Sequence, residues 1–183
     1  MNKLLIAFIL AVMIFTCGVV SGLRASKTEA GIGLKELKEA LERLGIKFKP
    51  FDPTTVLMIF FNNAAKSLLA ILLGVTIIMP VFMLYMNGYI IGSIFKILPI
   101  SYALLGLLPH GVIELPAFIA STALGINIGL TLLAKLFLRR GYSLKEDYKF
   151  ALRKFKIIAI LLLIAAFIET YITPLFVSAT APE

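Results

Sequence analysis

The sequence predicts an all-α membrane protein, a polytopic bundle of about five helices with some kinked or broken. Three observations carry that expectation. Hydrophobic residues make up 60% of the 183 and charged residues 15%, with a mean hydropathy of +1.00. Soluble domains average roughly 45–50% and about 25%. The apolar residues also fall in long runs, at 4–23, most of 54–134 and 157–177, and only Lys66, Lys96, His110 and Glu114 bring potential charge into the middle run. Finally, residues that start and stop helices sit near the ends of these runs. The chain is sized for one bundle.

The net charge of +8 does not describe a nucleic-acid footprint. Its basic residues cluster beside apolar spans, without a basic soluble face or interleaved aromatics. Cys17 stands alone, so no intramolecular disulfide can form. The absence of Gln and the many lysines lean towards a thermophile.

Residues 1–23 read as a first transmembrane helix. A cleavable leader has an apolar region of about 7–15 residues, whereas this one runs about 20, enough to span; it is expected as an uncleaved signal anchor. Phe15-Thr16 before Cys17 is a poor lipoprotein signal. Residues 24–53 form a polar, extracytoplasmic segment. Leucines at 34, 37, 41 and 44 make one helix stripe. Lys38 with Glu42, and Glu39 with Arg43, support it at i,i+4, and Gly45 is its expected stop. This amphipathic helix packs on the bundle or meets a partner.

Asp52-Pro53 predicts an N-cap followed by proline at the first helical position. The helix it opens can run to Met86, where Asn87-Gly88 is an expected break. Residues 88–108 are kinked by Pro99 and either cross or re-enter. Pro109-His110-Gly111 is a second expected break, and 111–134 the next helix, with Pro116 near its start. Ser143 and Glu146 form a capping box for a helix that becomes the last span near 157–176, ended by Thr173-Pro174. Residues 135–156 hold eight Lys/Arg against two acids, so they are expected in the cytoplasm. Five spans then leave the N-terminus inside and the C-terminus outside.

The exceptions inside the apolar runs carry the chemistry. His110 and Glu114 share a helix face at i,i+4, followed on it by Ala117, Ser121, Gly125 and Gly129, a small-residue stripe that lets another helix approach closely. Asn63, Ser67, Ala70 and Gly74 form a similar stripe, as do Ala165, Glu169 and Thr173. Ionisable groups at membrane depth face the interior with partners. Three converging stripes would bring Asn63, Glu114 and Glu169 together near His110, with Lys66 as counter-charge. The bland role is interhelical hydrogen bonding; the sharper ones are an ion or proton site and, last, a catalytic site. His110, Glu114 and Glu169 are candidate ligands of a divalent metal ion. HxxxE alone is a weak motif, however, and no second HxxxE, GxSxG, Walker loop or GxGxxG is present. Gly88-x-x-x-Gly92 after Asn87 reads as a turn plus close packing.

Several of these segments together resemble the stage II sporulation protein M family. Residues 107–117, Leu-Leu-Pro-His-Gly-Val-Ile-Glu-Leu-Pro-Ala, are similar to the family's Pro-His-Gly-x-x-Glu-Leu-Pro-Ala signature. Phe61-Asn-Asn with Leu73-Gly74, Tyr85 to Gly92 and Ala165 to Pro174 also match. The resemblance covers roughly 55–175, making 54–183 the family-like membrane domain. It maps motif positions onto Asn63, Gly74, Asn87, Gly88, Pro109, His110, Gly111, Glu114, Pro116 and Glu169. It implies a multi-pass protein of the cell membrane without enzymatic activity. In spore formers one member works as membrane scaffold for peptidoglycan-cutting partners. The expected function is thus a scaffold, assembling with itself or with other membrane proteins in the lipid bilayer. The alternative is a transporter or an ion- or proton-conducting protein using the same polar cluster. An intramembrane metal-dependent hydrolase comes third.

Overall fold

The computed structural model describes residues 3–43, 48–137 and 143–178. Helix α1 (Lys3–Arg24) is followed by α2 (Lys27–Arg43) and α3 (Pro53–Leu72). A 3-10 turn (Leu73–Thr76) leads into α4 (Ile78–Ile97), then come α5 (Ile100–Phe137), α6 (Leu144–Tyr171) and α7 (Thr173–Ser178). Among the described residues, five segments are long and apolar enough to cross a membrane: α1, α3 with its 3-10 turn, α4, α5 and α6 with α7. Large apolar side chains stay exposed along them, including Met13, Phe82, Ile160 and Phe167. An outer surface of this kind suits lipid, because helices satisfy their own backbone groups there.

The caps follow local chemistry. Asp52 Oδ1 accepts from the Thr54 N–H at 2.9 Å, with Pro53 at the first helical position. That bond, with a second from the Thr54 hydroxyl at 2.8 Å, holds the Asp52 carboxyl below its ordinary value. Ser143 Oγ accepts from the Glu146 N–H at 3.4 Å. Helix α2 begins earlier than the leucine stripe suggests, because Ser26 and Glu29 form a reciprocal capping box, at 3.0 and 3.1 Å. Within it Lys35 pairs with Glu39 at 3.9 Å. The side chains of Lys38 and Arg43, and the expected stop at Gly45, lie outside the described residues. Ala30 is buried and α2 lies against α4, so this helix packs on the bundle.

The helix breaks differ from expectation, although the number of spans does not. Asn87-Gly88 is no break: both lie inside α4, where Gly88 faces the α1 backbone at Phe15 and Val19. The chain reverses earlier, through the 3-10 turn and Ile77, whose φ of 58° is positive. A β-branched residue there is strained by about 1–3 kcal/mol, and its side chain rests over Gly129. Pro109-His110-Gly111 does not break α5 either. Each proline removes one i→i−4 hydrogen bond, but a long buried helix tolerates this where neighbouring helices hold it. Residues 88–108 are neither a separate span nor a re-entrant loop. They are the end of α4 and the start of α5, joined at Leu98-Pro99.

Contacts fix the helix directions. Gly18 and Gly22 of α1 meet Tyr85, Tyr89 and Gly92 of α4 in ascending order, so these helices run parallel with their backbones touching. At the start of α1, Lys3 Nζ donates to Thr131 Oγ1 at 2.6 Å and pairs with Asp147 at 3.3 Å, while Thr131 donates to Asp147. The beginnings of α1 and α6 and the end of α5 therefore share one end of the bundle. Helix α1 forms a wall of the fold and is interlocked with it.

Candidate functional site

Three elements meet near the opposite end. One helical turn on α5 separates His110 from Glu114, and the close of α6 supplies Glu169. One ligand atom from each lies within 4.8 Å of the other two. His110 is buried, with 9% of its surface exposed, and both glutamates are half-buried. Glu114 thus shares a site with α6, while the glycines further along its stripe pack on α3 and the 3-10 turn.

The close of α6 is shaped by Pro174. Lacking an N–H, it cannot donate to the Thr170 carbonyl four residues back. The Phe51 N–H donates to that oxygen instead, at 3.2 Å. Phe51 reaches it with a φ of 62°, its ring centroid 6.3 Å from that of Tyr171. This dock leads the chain into α7, which carries Thr173 to the imidazole. His110 Nδ1 is 3.2 Å from Thr173 Oγ1, and Thr173 Oγ1 donates to the Ile168 carbonyl at 3.3 Å. A hydroxyl has one proton to give. Whichever of the two holds the shared proton, the Thr173 hydroxyl anchors the imidazole ring at Nδ1.

A cavity of about 370 Å³ opens beside these groups between α4, α5 and the end of α6. Asn87, Tyr102, His110, Gly111, Glu114 and Glu169 are among its lining residues. Lys66, on the exposed side of α3, is within electrostatic reach of both glutamates. Two carboxyl groups and an imidazole thus gather close together, with one ammonium in electrostatic reach. In a low-dielectric setting such a cluster draws a proton or another cation.

Asn63 is the remaining member of the expected convergence. Its Oδ1 accepts from Asn62 Nδ2 at 3.4 Å, and it does not line the cavity, where the amide is that of Asn87. The packing positions divide similarly. Gly74 meets Gly125, Gly125 meets the Ala70 carbonyl and Gly129 meets the Gly74 carbonyl, so the α3 and α5 stripes do converge, backbone to backbone. Ala117 and Ser121 are buried in the same stripe, but Ser121 Oγ donates to the Phe118 carbonyl of its own helix at 2.8 Å. Gly92 packs closely without a turn, and Gly111 lines the cavity. Pro109 and Pro116 lie inside α5. Two features went unread: the Gly18-x-x-x-Gly22 face of α1, visible as a small-xxx-small motif, and the Lys3–Thr131–Asp147 network, whose members are far apart in sequence.

The family model described as Stage II sporulation protein M matches residues 5–174, spanning every residue of this site. The chain belongs to the stage II sporulation protein M family. An uncharacterized protein of Methanocaldococcus jannaschii is 33% identical over 172 residues, covering 92% of this chain and 94% of that protein. No solved structure matches. The family match reaches back to residue 5, well before the 55–175 of the sequence resemblance, and so takes in α1 and α2. The stage II sporulation protein M signature at 109–117 accordingly forms the part of α5 that passes the cavity.

Proposed function

We propose that this membrane protein moves or conducts a cation, with His110, Glu114 and Glu169 as the binding station. The observation that carries the reading is a cavity bordered by a buried histidine and two carboxyl groups whose ligand atoms lie within 4.8 Å of one another. Intramembrane ionisable groups that face a cavity commonly mark ion or proton routes. In this reading the protein sits in the cell membrane with residues 135–156 in the cytoplasm, and the cavity faces outward. The α3/α5 glycine contact closes the inner side. Transport would then require that contact to open.

The scaffold reading loses part of its first support, because the small-residue faces are occupied within the chain. It draws instead on an apolar groove between α1, α5 and α6, lined by Phe8, Pro116, Ala120 and Phe150 among others. A partner helix or a second copy would fill it. Neither reading includes an enzymatic reaction. Proteoliposomes loaded with a pH or divalent-cation indicator separate them. Cation-dependent flux that the Glu114→Gln/Glu169→Gln double variant loses supports the transport reading. Absence of flux, with partner or self-association unaffected by that variant, overturns it in favour of a scaffold.

A further inference from the structure

We infer that the His110–Glu114–Glu169 station takes a divalent transition-metal ion. The inference rests on the cavity being the working site and names the class of ion. The donor set is one imidazole nitrogen and two carboxylates, a borderline-to-hard combination suited to Zn2+, Mn2+ or Fe2+ and lacking the thiolates that favour softer ions. Ligand atoms around such an ion at bonds of about 2.1 Å stand about 3.4 Å apart in tetrahedral geometry. The three atoms already lie within 4.8 Å, and rotation of two half-buried glutamate side chains closes the difference. The cavity beside them leaves room for water or a further ligand.

The second observation is the state of the imidazole. His110 is nine-tenths buried, and Thr173 anchors Nδ1 while itself donating to Ile168. That contact fixes the orientation of the ring. A metal-ligating histidine is ordinarily held by an outer partner of this kind at its other ring nitrogen.

The test is titration of tag-free, chelator-treated protein in detergent with ZnCl2 and, separately, MnCl2. Isothermal calorimetry reads affinity and elemental analysis reads stoichiometry. One ion per chain is expected. His110→Ala and Glu114→Gln should abolish specific binding, and Thr173→Val should weaken it about tenfold. Monodisperse elution and an unchanged apo melting temperature certify that each variant is folded. No stoichiometric ion in the wild type, or affinity unmoved by Glu114→Gln, overturns the inference. Proton flux in proteoliposomes without metal binding would sink this inference and leave the transport reading standing. Metal binding without flux would do the reverse.

Discussion

The two halves of α5 solve opposite problems on one continuous helix. From Ala117 to Thr131 nearly every residue is buried, and Gly125 and Gly129 let the α3 backbone touch the helix directly. From Ile100 to Pro116 the helix carries two prolines, a histidine and a glutamate, and one side borders a cavity. The sealed half gains its stability from dispersion contacts at close range, since lipid leaves no hydrophobic drive between helices. The other half spends that closeness on polar groups whose desolvation is only partly offset. Stability and chemistry are thus separated along one helix axis.

The sharpest way to break that contrast is at Gly125. A single methyl group there collides with the Ala70 carbonyl, a backbone atom that cannot rotate away. Gly125→Ala is therefore expected to cost about 1–3 kcal/mol or more, read as a large fall in melting temperature and in folded yield from detergent. A variant that melts like the wild type would show the α3/α5 contact to be slack.

The next largest effect belongs to the Lys3–Thr131–Asp147 network beneath the sealed half. The pair is about three-quarters buried, with exposures of 25% and 23%. Lys3→Met leaves Asp147 with the Thr131 hydroxyl but without its cation. A loss of about 1–2 kcal/mol is expected, seen as a lower melting temperature and as faster hydrogen exchange at the start of α1. An unchanged melt would mean that α1 is held by its glycines alone.

Legibility in the sequence followed the same division. Apolar runs and small-residue spacing sufficed for the helical class, the five spans and the α3/α5 contact, since these depend on period and residue size. His110 and Glu114 were paired by one helix's geometry, and Glu169 joined them through its own stripe. The breaks were misplaced because proline and asparagine-glycine signals are local, while tertiary packing decides whether they act. Pro109 and Pro116 are absorbed within a packed helix, and Gly88 serves α1 instead of a turn. The reversal has Gly74 in its 3-10 turn and Thr76 accepting from the Met79 N–H, but the positive φ falls on Ile77, whose side chain packs over Gly129. The Thr173 contact needs α7, which only the Phe51 dock on the carbonyl freed by Pro174 makes intelligible.

A smaller and opposite effect is expected on the cavity side. A Cβ at Gly111 meets only Leu107 and Leu115 side-chain carbons, at 3.5 and 3.8 Å, which is ordinary contact. Gly111→Ala should stabilise α5 by up to about 1 kcal/mol through helix propensity. Melting in detergent beside Gly125→Ala makes a matched pair, with the same methyl on the same helix and opposite signs. Destabilisation at both sites would mean that the halves are packed alike.

The smallest effect on stability is expected where the functional effect is largest. Glu114→Gln and Glu169→Gln keep side-chain shape and remove charge from a half-buried setting, where an ion pair often costs as much as it returns. Each should melt within about 1 kcal/mol of the wild type, on the stabilising side, because the two carboxylates repel one another. If the cavity half exists for chemistry, the fold tolerates the amides while flux and ion binding fail. If both variants instead unfold the bundle, the polar groups are its fastening. The division of α5 into a sealed half and a working half would then be wrong at its centre.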